Sequence, residues 1–176
     1  MVYSLGIDAS LRSTGLSIIS AQGKGFVKNL KPGNLKDGAR LQFMHEETLS
    51  WIESLDIDTS QIGIAIMEGP AYSANTKAFS MGEAYGLFKF LCASEFCLEP
   101  LTPSPKELKK YLTGSGDAKK PKMKAFAGVL GCPSKQEDIC DSWAAGLLGW
   151  DVIHKSNTPG TRAALEVITK MKQAHN

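Results

Sequence analysis

The sequence predicts an α/β domain built on a mixed five-stranded sheet with helices on both faces. Three β-favouring runs follow one another at the N-terminus, and a lone apolar run, Ile62–Met67, stands between two helical stretches. Most of the chain beyond Thr102 has helical character. Consecutive strands followed by strands alternating with helices belong to a mixed sheet covered on both sides. A chain of 176 residues fits one domain with one sizeable core, residues 1–176, extended by C-terminal helical residues from about 155 to 176.

Val2–Ala9, Thr14–Ser20 and Gly25–Leu30 read as three strands joined by short polar turns, an antiparallel meander. From Gly38 to Leu55, Leu41, Met44, Leu49 and Ile52 recur at helical spacing among Glu46, Glu47 and Glu53, which predicts an amphipathic helix. Ile62–Met67 is apolar enough for a strand buried on both faces, and Gly69-Pro70 ends it. Asn75–Glu95 carries alanine, phenylalanine, methionine and leucine with small residues at Gly82 and Gly86, a helix suited to close packing or to a dimer contact. Phe96–Leu101 reads as the fifth strand. Ser104 and Pro105 are a cap and first turn for the helical KELKKYL; Lys122–Leu130, Gln136 to about Val152 and Thr161–Gln173 supply the remaining helices.

No apolar run approaches the roughly 20 residues that cross a bilayer. The N-terminus lacks the basic start and cleavage site of a secretory leader, so a cytoplasmic, non-secreted protein is expected. Cys92, Cys97, Cys132 and Cys140 have no C-x-x-C spacing, and His45, His154 and His175 are scattered. Reduced, mostly buried thiols fit better than a zinc site. Trp51, Trp143 and Trp150 read as core or interface residues.

Charge is more informative in its distribution than in its sum of +2. Between Leu101 and Ala125 lie Lys106, Lys109, Lys110, Lys119, Lys120, Lys122 and Lys124 against only Glu107 and Asp117. A solvated surface would look the same, but beside a carboxylate site such a patch favours a polyanion.

The carboxylates stand in three places. Asp8 ends the first apolar run, Glu68 ends the run IGIAIM, and Asp138 and Asp141 share one face of the segment EDICDSWAAGLLGW. Acids delivered to a sheet edge repel one another unless cations lie between them, and hard oxygen donors suit Mg²⁺ or Mn²⁺. The set points to two-metal phosphodiester chemistry. As a helix N-terminal acid, Asp138 would also interact favourably with the helix dipole.

These segments carry a resemblance. LGIDASLRSTGLSII, IAIMEGPAY, LTPSPKELKKYLTGSGDAKKPKM and EDICDSWAAGLLG, in this order, resemble the RuvC-type Holliday junction resolvases of the ribonuclease H-like superfamily over roughly Ser4–Trp150. GIDASL, EGPAY and TGSGDAKK look most like the phage-type members; the usual proline after the first aspartate is Ala9 here.

The resemblance implies a ribonuclease H-like fold and a homodimer that cuts four-way DNA junctions by paired symmetric nicks, leaving 5′-phosphate and 3′-hydroxyl ends. Asp8, Glu68, Asp138 and Asp141 would hold two Mg²⁺ ions, with Mn²⁺ able to substitute. One ion would activate water and the other stabilise the leaving 3′ oxygen. Lys120 would be the catalytic lysine, with Lys109 pointed to beside it and Lys119 the register alternative. Arg12, Ser13, Thr14, Tyr72, Lys106, Lys109, Lys110, Lys119, Lys120 and Lys122 would contact DNA, Tyr72 by stacking on a base or else by packing in the core. Two other readings stay open: a less specific branched-DNA or flap nuclease, and an actin- or sugar-kinase-like ATP-binding domain, since GIDASLRSTG also resembles a phosphate loop. The last would need a second domain and a second glycine-rich motif. A noncatalytic DNA-binding module is disfavoured by the intact acidic set.

Overall fold

The computed structural model describes residues 2–70 and 78–154. Strands β1 (Tyr3–Asp8), β2 (Thr14–Ile19) and β3 (Gly25–Leu30) precede helix α1 (Asp37–Ser54), and strand β4 (Ile62–Met67) follows it. Helices α2 (Ala78–Glu95), α3 (Pro105–Thr113), α4 (Lys120–Val129) and α5 (Glu137–His154) complete the order. The sheet runs β3-β2-β1-β4, antiparallel through the meander and parallel between β1 and β4. The parallel pair exists because α1 returns the chain to the same edge from which β1 began.

The period of two along each strand sorts side chains between two cores. Leu5, Ile7, Leu16 and Ile18 face one way, into a cluster with Met44 and Ile52 of α1 and Phe88 of α2. Ile19 and Ile66 face the other way, against α3, α4 and α5. Ser104 and Glu107 form a reciprocal capping box at the start of α3, with Pro105 in its first turn.

The fifth strand is reduced. Within Phe96–Leu101 only Leu101 pairs, as a single parallel bridge to Ile66, with Leu101 N donating to Ala65 O (3.0 Å) and Met67 N to Leu101 O (2.9 Å). Cys97 adopts a left-handed backbone (φ 54°), which interrupts an extended run, and Pro100 and Pro103 on either side have no N–H for a ladder. Among the described residues the sheet therefore has four full strands and a one-residue edge.

Trp51 and Trp143 are core residues, and Trp150 is half-buried with its indole donating to Ala21 O (3.3 Å). Cys92 and Cys140 are buried, whereas Cys97 is exposed. Tyr72, His175, the expected helix Thr161–Gln173 and the rest of the extension lie outside the described residues. Among the described residues no helix is long and apolar enough to cross a membrane.

Candidate functional site

The face of the sheet turned toward α5 is unusually small in its side chains. Ser4, Gly6 and Asp8 alternate along β1, and Gly15 and Ser17 stand opposite Asp8 and Gly6 on β2. A Cβ on Gly6 would fall 2.1 Å from Ser142 O of α5. Ser4 Oγ donates to Gly146 O (2.8 Å) and Ser17 Oγ to Ser142 O (2.7 Å), so the sheet is hydrogen-bonded directly to the backbone of the helix lying across it. These two bonds fix the axial position of α5, and with it the height of Asp141.

Asp8 is the last residue of β1, and Glu68 N continues the parallel ladder by donating to Ile7 O (2.9 Å). Ser4 and Gly6 pair with Ile64 and Ile66, so Asp8 and Glu68 leave adjacent strand ends on the α5 face. Carboxylate oxygens of Asp8, Glu68 and Asp141 lie within 4.8 Å of one another. Burial, then the neighbouring Glu68 and Asp141 charges and more weakly Asp138 and Glu137, hold the Asp8 carboxyl well above the ordinary carboxylate range. Burial and Asp141 push Glu68 up to about 7, and burial and Glu137 push Asp141 up to about 6. Three hard oxygen donors that resist ionising together form a donor set that fits a divalent cation.

Asp138 stands outside this trio. Its Oδ2 accepts a 2.5 Å hydrogen bond from Ser13 Oγ in the β1–β2 turn. Ser13 Oγ also lies 3.0 Å from Asn29 Oδ1, and Asn29 Nδ2 donates to Gln136 Oε1 (2.8 Å), tying the meander to the start of α5.

Two lysines bear on the acids. Lys109 on α3 partly offsets the upward shifts of Glu68 and Asp141. Lys120, the first residue of α4, is ion-paired with Glu137, and that bond together with the charges of Asp141 and Asp138 holds its ammonium more firmly protonated than usual.

No family model matches the chain. Among curated proteins it is similar to the crossover junction endodeoxyribonuclease RuvC of Neorickettsia sennetsu, 27% identical over 169 residues that cover 88% of this chain and 98% of that one. It also resembles the RuvC of Pseudothermotoga lettingae, 29% identical over 71% of this chain and 77% of that protein. Among solved structures, Thermus thermophilus RuvC superposes with a TM-score of 0.68 at 20% identity, covering 88% and 97% of the two chains. The same protein in complex with Holliday junction substrate superposes with a TM-score of 0.66 at 18% identity. By sequence and by fold, this chain is similar to RuvC proteins. The ribonuclease H-like α/β fold read from the sequence is the fold of these RuvC structures, with the fifth strand shortened as described.

In this chain the residues predicted from the sequence fall in different settings. Thr14 is fully buried, and its hydroxyl closes the turn by donating to Ser10 O (2.6 Å) and accepting from Ser10 N (3.0 Å), so the structure gives it a turn-locking place and no exposed surface for DNA. Ser13 is half-buried with its hydroxyl bound as above. Lys106 pairs with Asp117 (3.4 Å) on an exposed rim. Lys110, Lys119 and Lys122 are exposed, and Lys122 lies over the Phe126 ring at 5.6 Å. Arg12 is exposed and lines a cleft of about 270 Å³ that begins one residue after Asp8. Arg40 of α1 lines the same cleft. Sequence reasoning passed over it because a single arginine at the start of an amphipathic helix carries no motif.

Proposed function

We propose that this chain is a metal-dependent endonuclease that resolves four-way DNA junctions by paired symmetric nicks, leaving 5′-phosphate and 3′-hydroxyl ends. One observation carries the reading: oxygens of Asp8, Glu68 and Asp141 converge within 4.8 Å at the ends of two adjacent parallel strands. Similarity to crossover junction endodeoxyribonucleases and to RuvC in complex with junction substrate supports the substrate class.

Asp8, Glu68 and Asp141, with Asp138 alongside, are the residues that would hold divalent cations, Mg²⁺ or Mn²⁺, two per site. Bound there, the cations supply activation of the attacking water and stabilisation of the leaving oxygen. The chain's own part is to crowd acids that need a cation between them, and to aim lysines at the phosphate. Asp8, the acid that most of the others crowd, would be the central residue holding the cations. Lys120 is the catalytic lysine of the proposal: it stands at the rim of the acids, where an ammonium can meet negative charge developing on the phosphate. Lys109, Lys119, Lys106, Lys110 and Lys122 would line the DNA path, and Tyr72 would stack on a base beyond Glu68.

A junction with two-fold symmetry calls for two opposed sites, hence a homodimer. Phe79 and Phe90, 83% and 64% exposed on α2, support that helix as its interface. The whole chain is read as one domain working in the cytoplasm.

The test is cleavage of a labelled four-way junction beside linear duplex, flap and three-way substrates, with Mg²⁺, Mn²⁺ or EDTA. Metal-dependent, symmetrically placed nicks confined to the four-way junction are expected. Equal cutting of every branched substrate would make it a less specific structure-selective nuclease, and no cutting with either metal would reject the nuclease reading.

A further inference from the structure

The cleft that begins one residue after Asp8 is lined by two arginines together with apolar side chains. Arg12 from the β1–β2 turn and Arg40 from α1 line it, together with Ser10, Leu11, Ser80 and Met81. Arg40 is held in place at one end, its Nε donating to Leu35 O (2.8 Å). Among the described residues neither guanidinium is paired with a carboxylate. Two such cations lining one concavity lack the counter-charge that would make them structural, and a guanidinium is the side chain best shaped for a phosphate fork. At about 270 Å³ the space exceeds what a bare ion needs.

We infer that this cleft seats a second phosphodiester of the cleaved strand, adjacent to the one at the acids, with Arg12 and Arg40 on the phosphate and Leu11 and Met81 against its deoxyribose. The inference rests on the nuclease reading and adds to it a positioning subsite outside the lysine-rich segment. Its location follows from the chain: residues 9–12 continue directly from Asp8 at the end of β1 and line the cleft. A strand held at two successive phosphates cannot slide in register, which fixes which linkage meets the acids.

The experiment is junction binding in EDTA, read as the dependence of affinity on salt, for wild type, Arg40→Gln, Arg40→Lys and Arg12→Gln. Each lost phosphate contact lowers the logarithmic salt slope by about one. Both glutamine variants are expected to show that loss and Arg40→Lys to retain the wild-type slope. A companion scan replaces single linkages around the nick by neutral methylphosphonates. One linkage next to the scissile one should weaken wild type and lose that effect in the glutamine variants. Unchanged slopes in both glutamine variants, or the same methylphosphonate profile as wild type, would overturn the subsite. Arg40→Gln also removes the bond to Leu35; should it fail to fold, Arg12→Gln carries the same measurement, because Arg12 is exposed. A wild-type protein that neither binds nor cuts the junction would reject the nuclease reading itself, whereas one that cuts while the variants keep its slope rejects only the cleft.

Discussion

Gly15 on β2 and Asp138 on α5 meet backbone to backbone: a Cβ on Gly15 would fall 2.0 Å from the Asp138 carbonyl oxygen and 2.4 Å from its carbonyl carbon. Neither atom belongs to a side chain that could swing aside, so Gly15→Ala must push the start of α5 off the sheet. Overpacking of this kind costs about 1–3 kcal/mol, or roughly 3–10 °C in Tm for a chain of this size. Because the displaced turn carries Asp138 and lies next to Asp141, cleavage should fall more steeply than stability. Gly128→Ala, at an open position on α4, is the control and should leave Tm equal or slightly higher. Thermal melts beside junction cleavage read both; Gly15→Ala with wild-type Tm would contradict the packing.

Asp8 is the acid most crowded by others. Asp8→Asn removes one charge from among Glu68, Asp141, Asp138 and Glu137 while leaving every basic residue in place. Cleavage should drop at least about 10³-fold, and junction affinity without metal should hold or improve as repulsion of the phosphate is relieved. Gel-shift and nicking assays on the same substrate check this. Equal cutting by the variant and wild type would remove Asp8 from the chemistry.

The raised carboxylates make stability depend on pH in a definite direction. In the folded, metal-free protein Glu68 titrates near 7, Asp141 near 6 and Asp8 well above its usual range, whereas in the unfolded chain all three lose their protons near 4. Between those values the folded state binds more protons, so the contribution of Glu68 and Asp141 is complete below about pH 4 and is lost as pH rises through about 6 to 7, and Asp8 adds to it in the same direction. Wild type should therefore lose more Tm between pH 5.5 and pH 8 than Asp141→Asn does. Mg²⁺ should restore stability at pH 8 and do little at pH 5.5, where protons already occupy the acids. A Tm difference between the two pH values that is the same in wild type and Asp141→Asn would contradict this account.

The strand ends were legible because a strand has a period of two and an end: an acid closing an apolar run can only appear at a sheet edge, as Asp8 and Glu68 do. The capping box at Ser104 was half legible, from the serine and proline, since local backbone needs dictate it. The fifth strand was not, because Phe96–Leu101 has strand-like composition while its pairing is limited by the left-handed Cys97 and by the prolines at 100 and 103. Equally hidden was the place of Thr14. Its place beside Asp8 suggested a DNA contact, whereas the turn uses that hydroxyl in its own closure. Nothing in the sequence around Gly15 marks it for close packing; only the approach of α5, more than a hundred residues away, shows why a larger side chain does not fit. The meeting of Asp8, Glu68 and Asp141 was legible through their chemistry, whereas packing contacts between distant segments, such as Gly15 against Asp138, carried no mark in the sequence.

Glu137 and Lys120 form such a distant pair, joining the first turn of α5 to the first residue of α4. The lysine is 70% exposed and the glutamate 35%, so the bond is solvent-screened and open to exchange. An arriving phosphate competes with Glu137 for the same ammonium. Glu137→Gln should therefore bind the junction more tightly in EDTA, within about fivefold, the scale of an exposed ion pair. Its salt slope should steepen by up to about one, as Lys120 passes wholly to the DNA. Lys120→Gln should abolish that gain, so the double variant binds no better than Lys120→Gln alone; an equal gain on both backgrounds would mean that Glu137 acts on the DNA through its charge and not through Lys120. Single-turnover cleavage at saturating junction separates the remaining possibility, because a slower nick with unchanged affinity in Glu137→Gln would make the glutamate the residue that aims Lys120 at the phosphate.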